Sequence, residues 1–216
     1  PDRDEGYGLS LRGVGDAARA GATLLIAVDC GSNDHAAIAS AHKAGMDVVV
    51  LDHHKIAGDP PEHATVVSPQ MGGDPAYRDL TGVGIAWLLV TAMAHNGVTI
   101  SDPPARTERG YLDLVAIGTV ADVSPLLGIN RSIVRDGLAV LRKSIRPGLR
   151  ALVDVSGRKL PALASEDISF AIAPRLNAAG RLGSPRLAYD LLMADDPADA
   201  QLLALELERV NRQRKA

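Results

Sequence analysis

Apolar positions in the first hundred residues fall into short unbroken runs separated by alanine-rich segments that stop at glycine. Thr23 to Val28 is apolar, too short for a helix, and breaks at Asp29-Cys30-Gly31-Ser32, as a buried strand does. Asp47 to Leu51 repeats the pattern and breaks at Asp52-His53-His54. Between them, Asn33 to about Ala44 reads as a helix stopped by Gly45, and Ser10 caps an earlier helix running to about Ala20, with Gly21 as its stop. Strand, helix and strand in this order form a right-handed βαβ unit, so both strands run parallel and end on one edge of the sheet.

The remaining pattern is helical. After a loop rich in Pro and Gly, with a short β-like run at Ala64 to Val67, apolar helices are predicted at Gly82 to His95 and Arg109 to Val120. Another follows from Ile133 to Arg142, with Asn130 as its cap. Helices are then predicted at Pro147 to Val155, Ser165 to Ala173, Pro185 to Met193 and from Pro197 onward, three of them opening on a proline suited to the first turn. The expected fold is therefore α/β: a parallel sheet with flanking helices over residues 1–146, then a helical segment over 147–216 leading into a long connecting helix. The boundary is placed at the Pro- and Gly-bearing stretch around Ile145 to Gly148.

Composition narrows the function classes. The chain has 216 residues, 46% hydrophobic and 23% charged, enough for one core and a small second lobe. A single cysteine, Cys30, excludes an internal disulfide and a thiolate-rich zinc site, and suits a reducing cytoplasm. No apolar run approaches the roughly 20 residues of a membrane helix. One Phe, one Trp and four Tyr supply few stacking surfaces, so phosphate is the expected handle on any nucleic acid. The net charge of -3 hides an asymmetry: Arg142 to Arg186 holds nine Lys or Arg against three acids, whereas the residues before it hold ten basic against seventeen acidic groups. An acidic half suited to cations precedes a basic segment suited to phosphates, although a solvated face with accidental imbalance gives the same count.

Asp29, Asp52, His53 and His54 sit at the carboxyl ends of the two strands, the edge where open α/β sheets bind ligands. Oxygen and imidazole donors without thiolate suit manganese or magnesium. Because side chains alternate, His53 and His54 take different roles. A polar strand-to-loop turn accounts for Asp-His-His as well, and a turn-forming Asp accounts for Asp29 alone. Asp122 closes an apolar helix, where a carboxylate is costly unless paired, hydrated or bound to a cation; an exposed helix-ending Asp is the alternative.

Val28-Asp29-Cys30-Gly31, Asp52-His53-His54 and Gly118-Thr119-Val120-Ala121-Asp122 resemble, in order, three motifs of the DHH phosphoesterases. Pro1-Asp2-Arg3, Glu5-Gly6-Tyr7-Gly8-Leu9, Thr81-Gly82-Val83-Gly84 and Pro174-Arg175-Leu176-Asn177-Ala178-Ala179-Gly180-Arg181-Leu182 are similar to the branch that degrades single-stranded DNA. The resemblance implies a 5′ to 3′ exonuclease of single-stranded DNA using two divalent ions, Mn2+ or Mg2+, in cytoplasmic DNA repair and recombination. It makes Asp29, His53 and Asp122 metal ligands, Asp52 and His54 catalytic neighbours, and Arg175, Asn177 and Arg181 phosphate-binding; a salt bridge for Arg181 and a helix cap for Asn177 are the alternatives. Single-strand-binding protein or a helicase are the partners it suggests. The family's Asp-rich first motif is expected before Pro1 and a further domain after Ala216, so these residues alone are expected to be inactive. The rival functions are a DHH oligonucleotide or cyclic-dinucleotide phosphodiesterase and a non-catalytic DHH-fold nucleic-acid-binding scaffold.

Overall fold

The computed structural model describes residues 6–98, 110–144, 146–182 and 184–215. They form two compact units, one drawn from residues 3–100 with 127–130 and the other from 101–126 with 131–216. The helix beginning at Pro147 packs chiefly on the helices beginning at Arg186 and Pro197, within the second unit.

The first unit opens with α1 (Leu11–Arg19), whose cap Ser10 accepts a hydrogen bond from the Gly13 amide, as expected. Strand β1 (Leu24–Val28), helix α2 (His35–Lys43) and strand β2 (Asp47–Leu51) follow, then β3 (Thr65–Val67). All pairing is parallel in the order β1-β2-β3, with Val28 opposite Leu51 and Leu51 opposite Val67. The three strands therefore end in line, and Asp29, Asp52 and Ser68 each stand one residue past an end. Alternation along the strands turns Ala27, Val48 and Val50 toward Val14, Ala37, Ile38 and Ala41 of α1 and α2, forming a small core. Burying one such Ile or Val contributes about 1.5–3 kcal/mol. Helix α3 (Gly82–His95) lies against β1 and β2, its first turn capped by Thr81.

In the second unit, α4 (Leu112–Ala121) is buried over most of its surface. The predicted start at Arg109 lies outside the described residues. Asp113 on its first turn is 2% exposed and paired with Arg146 at 3.1 Å, and Arg146 also donates to the Gly110 carbonyl. Helix α5 (Gly128–Leu141) starts earlier than predicted: Asn130 does not cap it but lies in its first turn, donating its amide to the Asp79 carbonyl at 2.6 Å. Helix α6 (Pro147–Val155) matches its prediction. Next come a short turn α7 (Ser165–Asp167), a π-helical turn over Ile168–Ile172, and α8 (Ala173–Leu182) without a break. Sequence pattern ends the helix at Ala173 because Pro174 has no N–H and its ring crowds the carbonyl four residues back. The widened turn accommodates that proline and lets the helix run on. Helices α9 (Arg186–Met193) and α10 (Pro197–Lys215) complete the unit. Gly148 of α6 is pressed against α9 so closely that a Cβ there would stand 1.8 Å from the Leu191 carbonyl oxygen. Leu149, Leu152, Leu163, Ile168, Leu191 and Leu207 fill the core between these helices.

Candidate metal centre

At the carboxyl edge of the sheet the chain must leave β1 sharply, and it does so at Asp29, whose φ of 61° is left-handed. Its amide still bonds the Leu51 carbonyl at 2.8 Å, so the ladder fixes the residue while the turn releases its side chain, half-exposed, into the space over the strand ends. There Asp29 Oδ1 lies 3.1 Å from His53 Nε2. One ligand atom from each of Asp29, His53 and His54 lies within 4.8 Å of the others. Donors held roughly 2.0–2.2 Å from a shared ion stand at most about 4.4 Å apart, so contraction by a few tenths of an ångström completes a three-donor face. One carboxylate and two imidazoles without thiolate suit a divalent ion of the manganese type. Burial, then Asp34, Asp52 and Asp29, push the nearby Cys30 thiol up to about 11, which keeps it a thiol at neutral pH.

Asp52 does different work from Asp29. It is 2% exposed, and its carboxylate is saturated: the Ser32 amide donates to Oδ2 at 3.1 Å, and the His53 and His54 amides donate to Oδ1 at 2.8 and 3.2 Å. His54 Nδ1 joins them at 2.7 Å. Burial pushes the carboxyl up, but the His54 and Ser32 hydrogen bonds outweigh it and hold its pKa below the usual value. Since a carboxylate only accepts, Nδ1 carries the proton and Nε2 is left as the donor atom for a ligand. Asp52 thus sets the tautomer and orientation of His54.

Two contributors were not assigned a role from the sequence. Tyr7 donates its hydroxyl to the Asp29 carbonyl and stands edge-on to the His54 ring at 5.5 Å between centroids. Gly82, at the first turn of α3, touches Asp29: a Cβ there would lie 2.4 Å from Asp29 Oδ1. The helix therefore brings its N-terminus, with its partial positive charge, against the carboxylate only because residue 82 lacks a side chain. The available signal was two glycines inside an otherwise apolar helix pattern directly after a Thr cap.

The other predicted residues lie in the second unit. Asp122 is the C-cap of α4 and is exposed, so hydration offsets the burial cost expected for it. A carboxylate at a helix C-terminus still opposes the dipole, by about 0.3–1 kcal/mol, unless a cation offsets it. The next residue, Val123, has a φ of 59°, an outlier for a β-branched side chain. On α8, Asn177 and Arg181 stand one helical turn apart and are exposed. Arg175 turns inward: it is 8% exposed, lies 2.7 Å from Glu208 of α10, and donates to the Ala171 carbonyl at 2.7 Å. Glu208 also holds Arg212 at 2.8 Å.

An open parallel sheet with a carboxylate and two imidazoles gathered at its carboxyl edge is an α/β arrangement that could hold a divalent ion. Residues 1–119, over half the sequence, match the DHH family, N-terminal domain, and the chain belongs to that family. It is 40% identical over 227 residues to the single-stranded-DNA-specific exonuclease RecJ of Dickeya dadantii, covering all of this chain and 39% of that protein. The RecJ of Thermus thermophilus is 40% identical over 212 residues, covering 98% of this chain and 30% of the relative. Among solved structures, an exonuclease RecJ bound to manganese superposes with a TM-score of 0.86 at 39% identity, covering 100% of this chain and 53% of that one. RecJ from Thermus thermophilus in complex with Mn2+ gives 0.82 at 38% identity, covering 95% and 30%. The chain thus spans well under half the length of these curated relatives.

Proposed function

We propose that these residues are part of a metal-dependent 5′ to 3′ exonuclease of single-stranded DNA, with Asp29, His53 and Asp122 as metal ligands. The observation that carries the reading is the convergence of Asp29, His53 and His54 at the strand ends, in a chain similar along its length to RecJ exonucleases. Asp29, His53 and Asp122 would hold Mn2+ or Mg2+, which when bound would supply Lewis-acid chemistry for phosphodiester hydrolysis. The protein's own part is positional. Asp52 fixes the His54 imidazole, which lines the site with Nε2 as its open nitrogen, and Tyr7 braces the Asp29 turn. Asn177 and Arg181 hold the strand's phosphates. Arg175, with its ion pair to Glu208, keeps α8 in place against α10. The lone cysteine and the similarity to RecJ support a role in cytoplasmic DNA repair and recombination; among the described residues no helix is long and apolar enough to cross a membrane.

The test uses the full-length protein encoded by the gene that contains these residues. Asp122→Ala and His53→Ala are each expected to lower the rate on 5′-labelled single-stranded DNA with manganese by at least a hundredfold while strand binding persists. Unchanged rates in both variants refute the assignment. Turnover confined to dinucleotides, with long strands untouched, would place the protein in the small-substrate branch instead.

A further inference from the structure

Phe170 is the chain's single phenylalanine, and it is 76% exposed. It stands on the π-helical turn Ile168–Ile172, whose Ile168, Ala171 and Ile172 are buried while Ser169 is only half-buried. Pro174 cannot donate to the Phe170 carbonyl, which is why the turn widens at this point. Irregular turns of this kind gather at functional sites, and a large aromatic in water adds nothing to the core. Ser169 of the same turn, the residue before Phe170, lines a hollow together with Ser165 and Glu166 and with Val123, Ser124 and Leu126 after α4. The hollow measures about 240 Å³. Phe170 follows Glu166 by four residues, as Ser169 follows Ser165.

We infer that Phe170 and this hollow form a stacking subsite for one unpaired nucleobase. The inference rests on the single-strand reading above and specifies where a base, as opposed to a phosphate, is held. The chemistry separates the two. Glu166, whose Oε2 is 3.1 Å from Ser165 Oγ, repels a phosphate but accepts from the exocyclic amine of a base. The Ser169 hydroxyl donates or accepts as a base edge requires, and that of Ser165, which donates to Glu166, accepts. Phosphates are served by the basic run from Arg142 to Arg186 and by exposed Asn177 and Arg181 on α8, which continues directly from the π turn. Bases in a duplex are already stacked on each other, so a platform of this kind selects single strands.

The test measures binding of the same full-length protein, in Ca2+ to suppress turnover, to a single-stranded oligonucleotide carrying 2-aminopurine, whose fluorescence is quenched on stacking. Phe170→Leu preserves an apolar side chain and removes the ring face. It is expected to weaken strand affinity by roughly 5- to 150-fold, the equivalent of the about 1–3 kcal/mol carried by one base–aromatic stack, and to abolish protein-induced quenching. Phe170→Trp restores both, and duplex affinity and melting temperature stay unchanged because the side chain packs against no core. Strand affinity and quenching retained in Phe170→Leu overturn this inference alone. Absence of strand binding by the unaltered protein overturns the exonuclease reading with it.

Discussion

Gly82→Ala places a methyl group where the Asp29 carboxylate now sits. The added Cβ would stand 2.4 Å from Oδ1 and 2.7 Å from the Asp29 Cβ, against a limit near 3.4 Å for ordinary contact, so the carboxylate must withdraw by about 1 Å. Neither partner gives easily, since α3 is anchored by its Thr81 cap and Asp29 by its amide bond to Leu51. A 1 Å error in a functional group costs about a hundredfold, or roughly 2.7 kcal/mol. Helix propensity acts the other way, favouring alanine over glycine by about 1 kcal/mol, so a loss of metal affinity cannot be read as a weakened helix. The assay is calorimetric titration of the chain with Mn2+ beside a thermal melt, with Gly180→Ala as control, because a Cβ at Gly180 meets nothing within 4 Å. Gly82→Ala is expected to bind Mn2+ about a hundredfold more weakly with its helical signal intact. Binding within threefold of the unaltered chain would refute the argument that this glycine makes room for the ligand.

Asp113→Ala strips Arg146 of its buried partner and is expected to destabilise the second unit by about 3–5 kcal/mol in urea unfolding, with no direct effect on the centre at Asp29; a loss under 1 kcal/mol contradicts the pairing. Glu208 supplies a pH dependence. Burial raises its pKa, but the bonds from Arg212 and Arg175 prevail and set it below the ordinary value of about 4.3. Its ionisation therefore contributes stability that is fully present above that value and is lost as pH falls through the lowered folded pKa. The stability gap between the unaltered chain and Glu208→Gln should close as pH is lowered from 6 to 3, and a gap constant with pH would remove Glu208 from the account.

The βαβ unit was legible because its signals are local: apolar runs of strand length, a glycine after each helix, and acids and histidines at the breaks. Asp47–Leu51 and Gly82–His95 agree with their predicted bounds for that reason. Helix α8 was missed because Pro174 reads locally as a stop, and the compensating π turn has no pattern of its own. The inward turn of Arg175 depends on Glu208, thirty-three residues later and on another helix, so no spacing rule connects them. Tyr7 and Gly82 were visible only as parts of motifs. Their roles follow from the approach of a loop and a helix end to Asp29, which is a product of packing.

Val123 gives the fold one more consequence. A β-branched residue with left-handed φ stores about 1–3 kcal/mol, and this one is 87% exposed, so no packing requires it there. By thermodynamic criteria alone Val123→Gly is a relaxation of the backbone, the kind of change that a search for heat tolerance would select first. Its position beside Asp122 and on the hollow that Ser165, Glu166 and Ser169 also line makes it the place where robustness and turnover are expected to conflict.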